Sequence, residues 1–421
     1  MATPATGSST LATAVPGRGG LARRGLLAGA AGTLLLGACG QSDEPASGSG
    51  SRPATTRGPR ELLVGASLEL SGRWAALGVL QERALRISMA TLNAEDGVPV
   101  GNLRRTLRLV VQDNAGDPGL AARQATELAR VQGVHALVGG TVAETAMAII
   151  GVAQKLQVPY LSLAAGDGIV LPLAQRTYIY KLTPDAGDVA RRLARLARAE
   201  KLGRVTLLAA HGLHGDSGVR AMGSALEIAG IDLVRTVRLP GATDGDPAGA
   251  AERAVEGGPD GIVVWGTAPN SGAAARALRR TGYTGQLLFD AGAVAEETLS
   301  EPYLAAMEGA LVVHPASLGG STLTNTTTAA LARRDFVFRY IREYGGFSGF
   351  APYGSDALHL IANAARLAGS VDRGRLRAYL QSQVTEGIAG AYSFAPIRHG
   401  GMAADSLGVF TVTNGAWIRV S

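Results

Sequence analysis

From Glu61 onward, short apolar runs alternate with stretches of helical periodicity, and this alternation restricts the fold more than any other feature of the chain. The runs "LLVGASLE", "LRLVVQD", "HALVGG", "PYLSLAA" and "YIYKLT" are compact and apolar, as expected of strands buried on both faces of a parallel sheet. Between the first two, Leu77, Leu80, Ala84 and Ile87 recur at helical spacing and predict one buried helix face. In "GDPGLAARQATELARVQG" Asp117 caps a second helix, Pro118 fits its first turn because no N–H partner is needed there, and Gly133 ends it. The first unit therefore reads β-α-β-α-β-α-β.

After "KLTPDAGD" the pattern restarts. The helix "VARRLARLARAEKLG" leads to "RVTLLAA", "GVRAMGSALEIAG", "IDLVRTVRL", "GAAERAVEGG", "DGIVVWG", "SGAAARALRRTG" and "QLLFDAG", a second βα series. A later segment, residues 331–369, is mostly helical, and in the closing "LGVFTVTNGAWIRV" Asn414 and Gly415 separate two alternating runs, a hairpin signal. Two series followed by returning segments imply several crossovers. At 421 residues and 46% hydrophobic content, two cores are expected rather than one.

The first forty residues read as an export signal instead of a folded element. Arg23 and Arg24 close a basic region, an apolar run follows from Gly25 to Ala38, and "LGAC" ends at Cys39. That run is short for a bilayer span. "LGAC" resembles the lipobox of bacterial lipoproteins, whose cysteine is acylated and becomes the new N-terminus. Cys39 is the only cysteine, so an intrachain disulfide and a thiolate metal cluster are both excluded. Residues 1–38 are thus expected to be a signal peptide, by either the general or the twin-arginine route. Residues 39–60, rich in Ser, Gly and Pro, are expected to be a flexible tether. Removing Arg18, Arg23 and Arg24 lowers the formal charge from +6 to +3. With basic residues interspersed among acids, nothing suggests a nucleic-acid groove.

In open parallel sheets, ligands are met by loops beyond the carboxyl ends of the strands. That rule selects Glu69–Trp74, Gly139–Thr145, Ser162–Gly168, His211–Ser217, Trp265–Asn270 and Asp290–Gly292. In "GGTVAETA" two glycines allow close approach, Thr141 and Thr145 carry hydroxyls, and a helix begins with unpaired N–H groups, which suits a carboxylate. Trp74 and Trp265, at strand ends, offer flat apolar surface.

Several landmarks in order, "LELSGRWAALG", "VVQDNAGDPGLAARQATELA", "HALVGGTVAETAMAIIGVAQKLQVPYLSLAAGD", "DGIVVWGTAPNSGAAARALRRTG" and "APYGSDALHLIANA", resemble the type I periplasmic solute-binding proteins of the Leu/Ile/Val-binding family. The resemblance covers residues 61–421 and implies an α/β fold of two Rossmann-like lobes with parallel sheets joined by a multi-crossover hinge. It implies lobe 1 at 61–182 and 315–396, and lobe 2 at 183–314 and 397–421. It also implies that Thr141 or Thr145, Ser162 and the backbone of Ala164 and Gly166 hold a ligand carboxylate, although Ala143 and Gly166 stand where relatives carry hydroxyls. Asp290 is the candidate partner for a ligand ammonium, one residue from the expected acidic position, on which Ala291 falls; Glu69 and Glu144 are substitutes. Leu77 and His214 fall on positions where relatives have tyrosine.

"HGLHGDSGVR" places Gly215, Asp216, Ser217 and Gly218 in the order found around a trypsin-like nucleophile. Its context opposes that reading, because a serine in a βα turn is not the paired β-barrel arrangement. His211 and His214 lack a third ligand at a familiar metal spacing. No GxxxxGK[ST] or HExxH motif is present. The expectation is a monomeric, non-enzymatic receptor without cofactor or metal, anchored by lipid to the outer face of the cytoplasmic membrane. It would capture an amino acid, an amide or a small organic acid for an ABC permease and its ATPase. A sensor signalling to a membrane receptor or kinase, and a hydrolase or amidase on the same scaffold, are the alternatives.

Overall fold

The computed structural model describes residues 60–94, 96–241, 245–319, 326–382 and 384–420. The expected signal peptide, Cys39 and all of the expected tether except Arg60 lie outside the described residues. The first series builds β1 (Glu61–Leu68), α1 (Ala75–Ala94), β2 (Val98–Val100), β3 (Leu103–Asp113), α2 (Pro118–Glu127), β4 (Ala136–Gly139), α3 (Ala143–Lys155), β5 (Tyr160–Ser162) and β6 (Ile179–Lys181). The second builds α4 (Ala186–Ala199), β7 (Arg204–Ala209), α5 (Gly212–Ala229), β8 (Asp232–Arg238), α6 (Ala248–Val255), β9 (Gly261–Trp265), α7 (Asn270–Arg280), β10 (Gln286–Phe289), α8 (Leu304–Met307) and β11 (Leu311–Pro315). The chain returns through α9 (Thr328–Tyr344), α10 (Ala351–Ala368) and α11 (Arg373–Leu380), then β12 (Val384–Glu386), β13 (Ala391–Ser393), β14 (Leu407–Thr413) and β15 (Ala416–Arg419).

These strands form two lobes. One sheet runs β2-β3-β1-β4-β5-β6, the other β15-β14-β11-β10-β9-β7-β8. In each, five strands are parallel and share one spatial order, the second strand of the series lying outside the first and the third on its other side. The crevice beyond the strand tips therefore opens at the switch points β1/β4 and β7/β9, where the connections leave toward opposite faces. The antiparallel additions sit at the edges: β2 on β3, and the β14–β15 hairpin on β11. Asn414 and Gly415 join that hairpin with φ of 51° and 72°, the left-handed pair a two-residue turn demands.

The helices obey the same economy. Leu77, Leu80, Ala84 and Ile87 are all buried on α1. Asp117 caps α2 by accepting from the Leu120 amide, and Gly133 closes the following π turn at φ 61°. One difference is informative. Residues 212–217 belong to the start of α5, whereas the sequence reading begins that helix at Gly218. Gly215 and Gly218 are there for packing: a Cβ on Gly215 would lie 1.8 Å from the Ala210 carbonyl oxygen, and one on Gly218 would lie 2.4 Å from the Trp265 ring. Close approach outweighs the roughly 1 kcal/mol helix penalty of each glycine.

The chain passes between the sheets after β6, after β11 and again before β14. Two of these passages are bonded together, since the Lys181 amide donates to the His399 carbonyl and Gly401 donates to the Lys181 carbonyl. The Lys181 side chain is fully buried; its Nζ lies 2.8 Å from Asp185 Oδ1 and donates to the carbonyls of Thr183 and Pro184. A buried ammonium is tolerable because a carboxylate and two carbonyls surround it.

Candidate functional site

A cavity of about 270 Å³ lies between the strand tips of the two sheets. Its walls come from the loops after β1 (Arg73, Trp74), β4 (Thr141 to Glu144) and β5 (Leu163, Ala165, Gly166), and from those after β7 (Ala210 to His214), β9 (Trp265, Thr267, Asn270) and β10 (Asp290 to Gly292). Every segment selected from the sequence contributes, and the loops after β6 (Thr183, Pro184) and β8 (Pro240, Gly241), which that selection does not include, line it as well. Of the expected site residues, Trp74, Thr141, Gly166, His214, Trp265 and Asp290 line it.

Leu77, Thr145, Ser162 and Ala164 lie behind the lining. Leu77 packs with Ala268 and Ala295 of the opposite lobe, flanked by Trp74 and Phe350, so it belongs to an apolar contact that joins the lobes at the cavity edge. Thr145 donates to Glu69. Ser162 accepts from the Ala164 amide at 3.3 Å, and the Ala164 carbonyl accepts from Thr183 at 2.8 Å. Neither Thr145 nor Ser162 has a hydroxyl turned to solvent, for both are fully buried.

Two buried carboxylates anchor the walls. Glu69, fully buried at the end of β1, accepts from the Thr141 amide at 2.9 Å and from the Thr145 hydroxyl, while the Thr141 hydroxyl donates to Gln81 at 2.8 Å. The acid thus sits at the open end of α3, where the helix dipole favours negative charge. Asp290, across the cavity, accepts from the amides of Gly266 and Gly292 and from His214 Nε2, each at 2.9 Å. His214 is set against Trp265, their ring centroids 5.8 Å apart.

Sequence reasoning missed Phe350 and Tyr353, which reach the cavity from the start of α10. Burial first, then the charges of Asp356 and Asp290, push the Tyr353 hydroxyl far above its usual range, so it stays a neutral donor. His314 on neighbouring β11 is fully buried and pushed down to about 4, by burial against a smaller opposing effect of the Pro315 carbonyl and Asp290.

The serine of "GDSG" has no nucleophile geometry. Ser217 is buried; its hydroxyl donates to the Leu213 carbonyl at 2.8 Å and accepts from the Asp167 amide at 3.1 Å. His214, the nearest candidate base in sequence, bonds Asp290 instead. The Ser217 contact crosses from α5 to the loop after β5, so it holds the lobes together. Leu213 reinforces it by packing beside Gly166 and Gly168.

Two α/β lobes that close strand-tip loops around a cavity of this size define a receptor for small solutes. The family model of the periplasmic binding proteins matches residues 61–416. The chain belongs to that family, in its type I branch. Among solved structures, an extracellular ligand-binding receptor from Rhodopseudomonas palustris HaA2 superimposes with a TM-score of 0.76 at 20% identity, covering 86% of this chain and 99% of that one. The branched-chain amino acid transporter substrate binding protein LivJ from Streptococcus pneumoniae, in complex with isoleucine, gives a TM-score of 0.72 at 22% identity over 86% and 99% of the two chains. A solute binding protein of an ABC transporter from Rhodopseudomonas palustris BisB5, in complex with 3,4-dihydroxy benzoic acid, gives 0.72 at 19% identity over 86% and 97%. At these identities the likeness is one of fold.

Proposed function

We propose that the protein is the solute-capturing component of an ABC importer, held outside the cytoplasmic membrane by lipid on Cys39 and passing its cargo to a permease driven by an ATPase. The cargo is a small organic molecule, an amino acid, an amide or an organic acid, taken up by a single copy of the chain without chemical change. The cavity carries this reading, because loops from both sheets meet on it and its volume lies just under the range that encloses drug-sized ligands. Capture proceeds by hinge closure of lobe 1 (61–182 and 315–396) on lobe 2 (183–314 and 397–421), and the closed form is what the permease recognises. Trp74 and Trp265 supply apolar surface; Thr141, Gly166 and His214 supply polar edges. Leu77, Thr145, Ser162, Ala164 and Asp290 support the walls.

A thermal-shift screen of the chain against amino acids, amides and aromatic and short-chain acids tests this. A solute present at a hundred times its dissociation constant should add about 2.7 kcal/mol of apparent stability. Consumption of that solute by the protein would contradict the proposal. Mass spectrometry of the mature N-terminus tests the anchor separately, with a diacylated Cys39 as the expected species.

A further inference from the structure

The end of lobe 1 opposite the cavity, where its strands begin, is basic. The chain enters the fold there at Arg60, whose carbonyl accepts from the Thr106 amide at 2.9 Å. The neighbouring β2–β3 hairpin brings Arg104 and Arg105, and Arg108 follows on β3. The turn of that hairpin touches the end of α10, for a Cβ on Gly101 would lie 3.2 Å from the Gly369 carbonyl oxygen. Arg366 stands on the last turn of α10, and Arg375 of α11 donates to the Ala368 carbonyl at 2.7 Å. The described acids at this end are Glu61, Asp96 and Asp372. Glu61 lies 3.6 Å from Arg108, and Asp372 is used as the cap of α11. Positive charge is therefore in excess.

Two apolar side chains are exposed on the same end, Leu103 beside the hairpin turn and Leu367 two residues before Gly369. Leucines set among arginines suit a lipid surface, where guanidinium groups meet phosphate and apolar side chains enter the headgroup layer. The sequence extends the pattern, since Arg52 and Arg57 precede Arg60 and no acid occurs between Glu44 and Glu61. On the reading of Cys39 as a lipid anchor, 21 residues lead from it to the end of Arg60, a coil span of about 25 Å. The first part of the fold to meet the membrane is then this end of lobe 1. Attraction between arginines and anionic lipid decays within about 8 Å at physiological salt, so it acts on a surface that an anchor keeps close.

We propose, on the anchored reading, that this end of lobe 1 docks on the anionic lipid surface of the membrane that carries the protein. The strands run from the docked end toward the cavity, so the pose holds the strand tips away from the lipid and leaves the cavity open to solute.

The test uses the full chain with Cys39→Ser, so that no attached lipid contributes. The vesicles are phosphatidylcholine alone or an equal mixture with phosphatidylglycerol, each with a spin-labelled lipid as quencher. Because residues 1–38 can also touch lipid, the readout is contact at a labelled position and not binding itself. A fluorophore on Asn102→Cys, at the hairpin turn, should be quenched at least twofold more by the mixed vesicles than by phosphatidylcholine, and the difference should vanish in high salt. One on Ile228→Cys, exposed on lobe 2, should respond to neither vesicle. Combining Arg60→Gln, Arg104→Gln and Arg366→Gln should abolish the extra quenching at Asn102. Equal quenching at the two positions, or quenching at Asn102 that the triple substitution leaves unchanged, overturns the proposal. Chains that pair with one another through this end without touching lipid assign it to a second copy and overturn it as well. Should the triple variant not fold, the comparison of the two labels decides alone. Failure of the anchored reading is seen separately, as an unmodified Cys39 in the mass of the mature N-terminus.

Discussion

Substituting Gly218 by alanine probes the cavity wall from behind. A Cβ built there meets Trp265 Cδ2 and Cγ at 2.4 Å and Cδ1 at 2.5 Å, about 1 Å inside ordinary carbon contact. Trp265 is itself almost completely buried, so either its ring or the whole of α5 must move. Overpacking of this kind costs about 1–3 kcal/mol. The unfolding midpoint of Gly218→Ala should therefore fall by a few degrees. Because Trp265 lines the cavity, the displaced ring also takes space from the solute, and affinity for any cargo should drop tenfold or more, equivalent to about 1.4 kcal/mol. Calorimetric unfolding measures the first effect and titration the second. A variant as stable as wild type with undiminished affinity refutes the placement of Trp265 against α5.

Two further outcomes follow from the hydrogen bonds and the titrating groups. Ser217→Ala removes the hydroxyl that receives the Asp167 amide across the lobes. Solute affinity should fall severalfold, consistent with about 1 kcal/mol for one hydrogen bond, and incubation of wild type or variant with solute should show no turnover. His314 is held neutral in the folded chain down to about pH 4, against an ordinary value of 6.5. As pH falls from 6.5 toward 4 the unfolded chain takes up the proton first, so stability is lost across that window, by roughly 3 kcal/mol at 1.36 kcal/mol per unit. Asp356 acts in the opposite sense. Burial, against its bonds from the Ala389 and Ile388 amides and the Tyr392 hydroxyl, raises it from 3.8 to about 7, so its contribution declines as pH rises from 4 to 7. The comparison is therefore variant against wild type at each pH: His314→Asn should lose less stability than wild type between pH 6.5 and pH 4, and an equal loss would contradict the assignment to His314.

Much of the architecture was legible because it rests on local pattern. The alternation of buried strands with one-faced helices located both sheets, Asp117 and Gly133 bounded α2 and its last turn, and Asn414-Gly415 located the closing hairpin. What escaped notice lacked such a signal. The strand β2 is three residues long with Pro99 at its centre and exists only by pairing with β3. The stretch before Gly218 reads as a turn because that is glycine's usual meaning, and only the nearness of the Ala210 carbonyl explains Gly215 as helical. The same limit governs the site. Strand-tip loops were predictable from topology, but the partners of Glu69 lie 72 and 76 positions away and His214 reaches Asp290 across 76, so no local reading reveals that both acids are already engaged. Tyr353 and Phe350 arrive on a returning segment whose place the strand-tip rule does not address.

The central claim is that two halves close on a solute, and a distance between them tests it most directly. With Cys39 replaced by serine, spin labels at Val131 of the first lobe and Ile228 of the second, both strongly exposed, can be read by double electron–electron resonance. Addition of the solute found by thermal shift should replace a broad distribution by one narrow distance. A distribution identical with and without that solute, at saturating concentration, would contradict capture by closure.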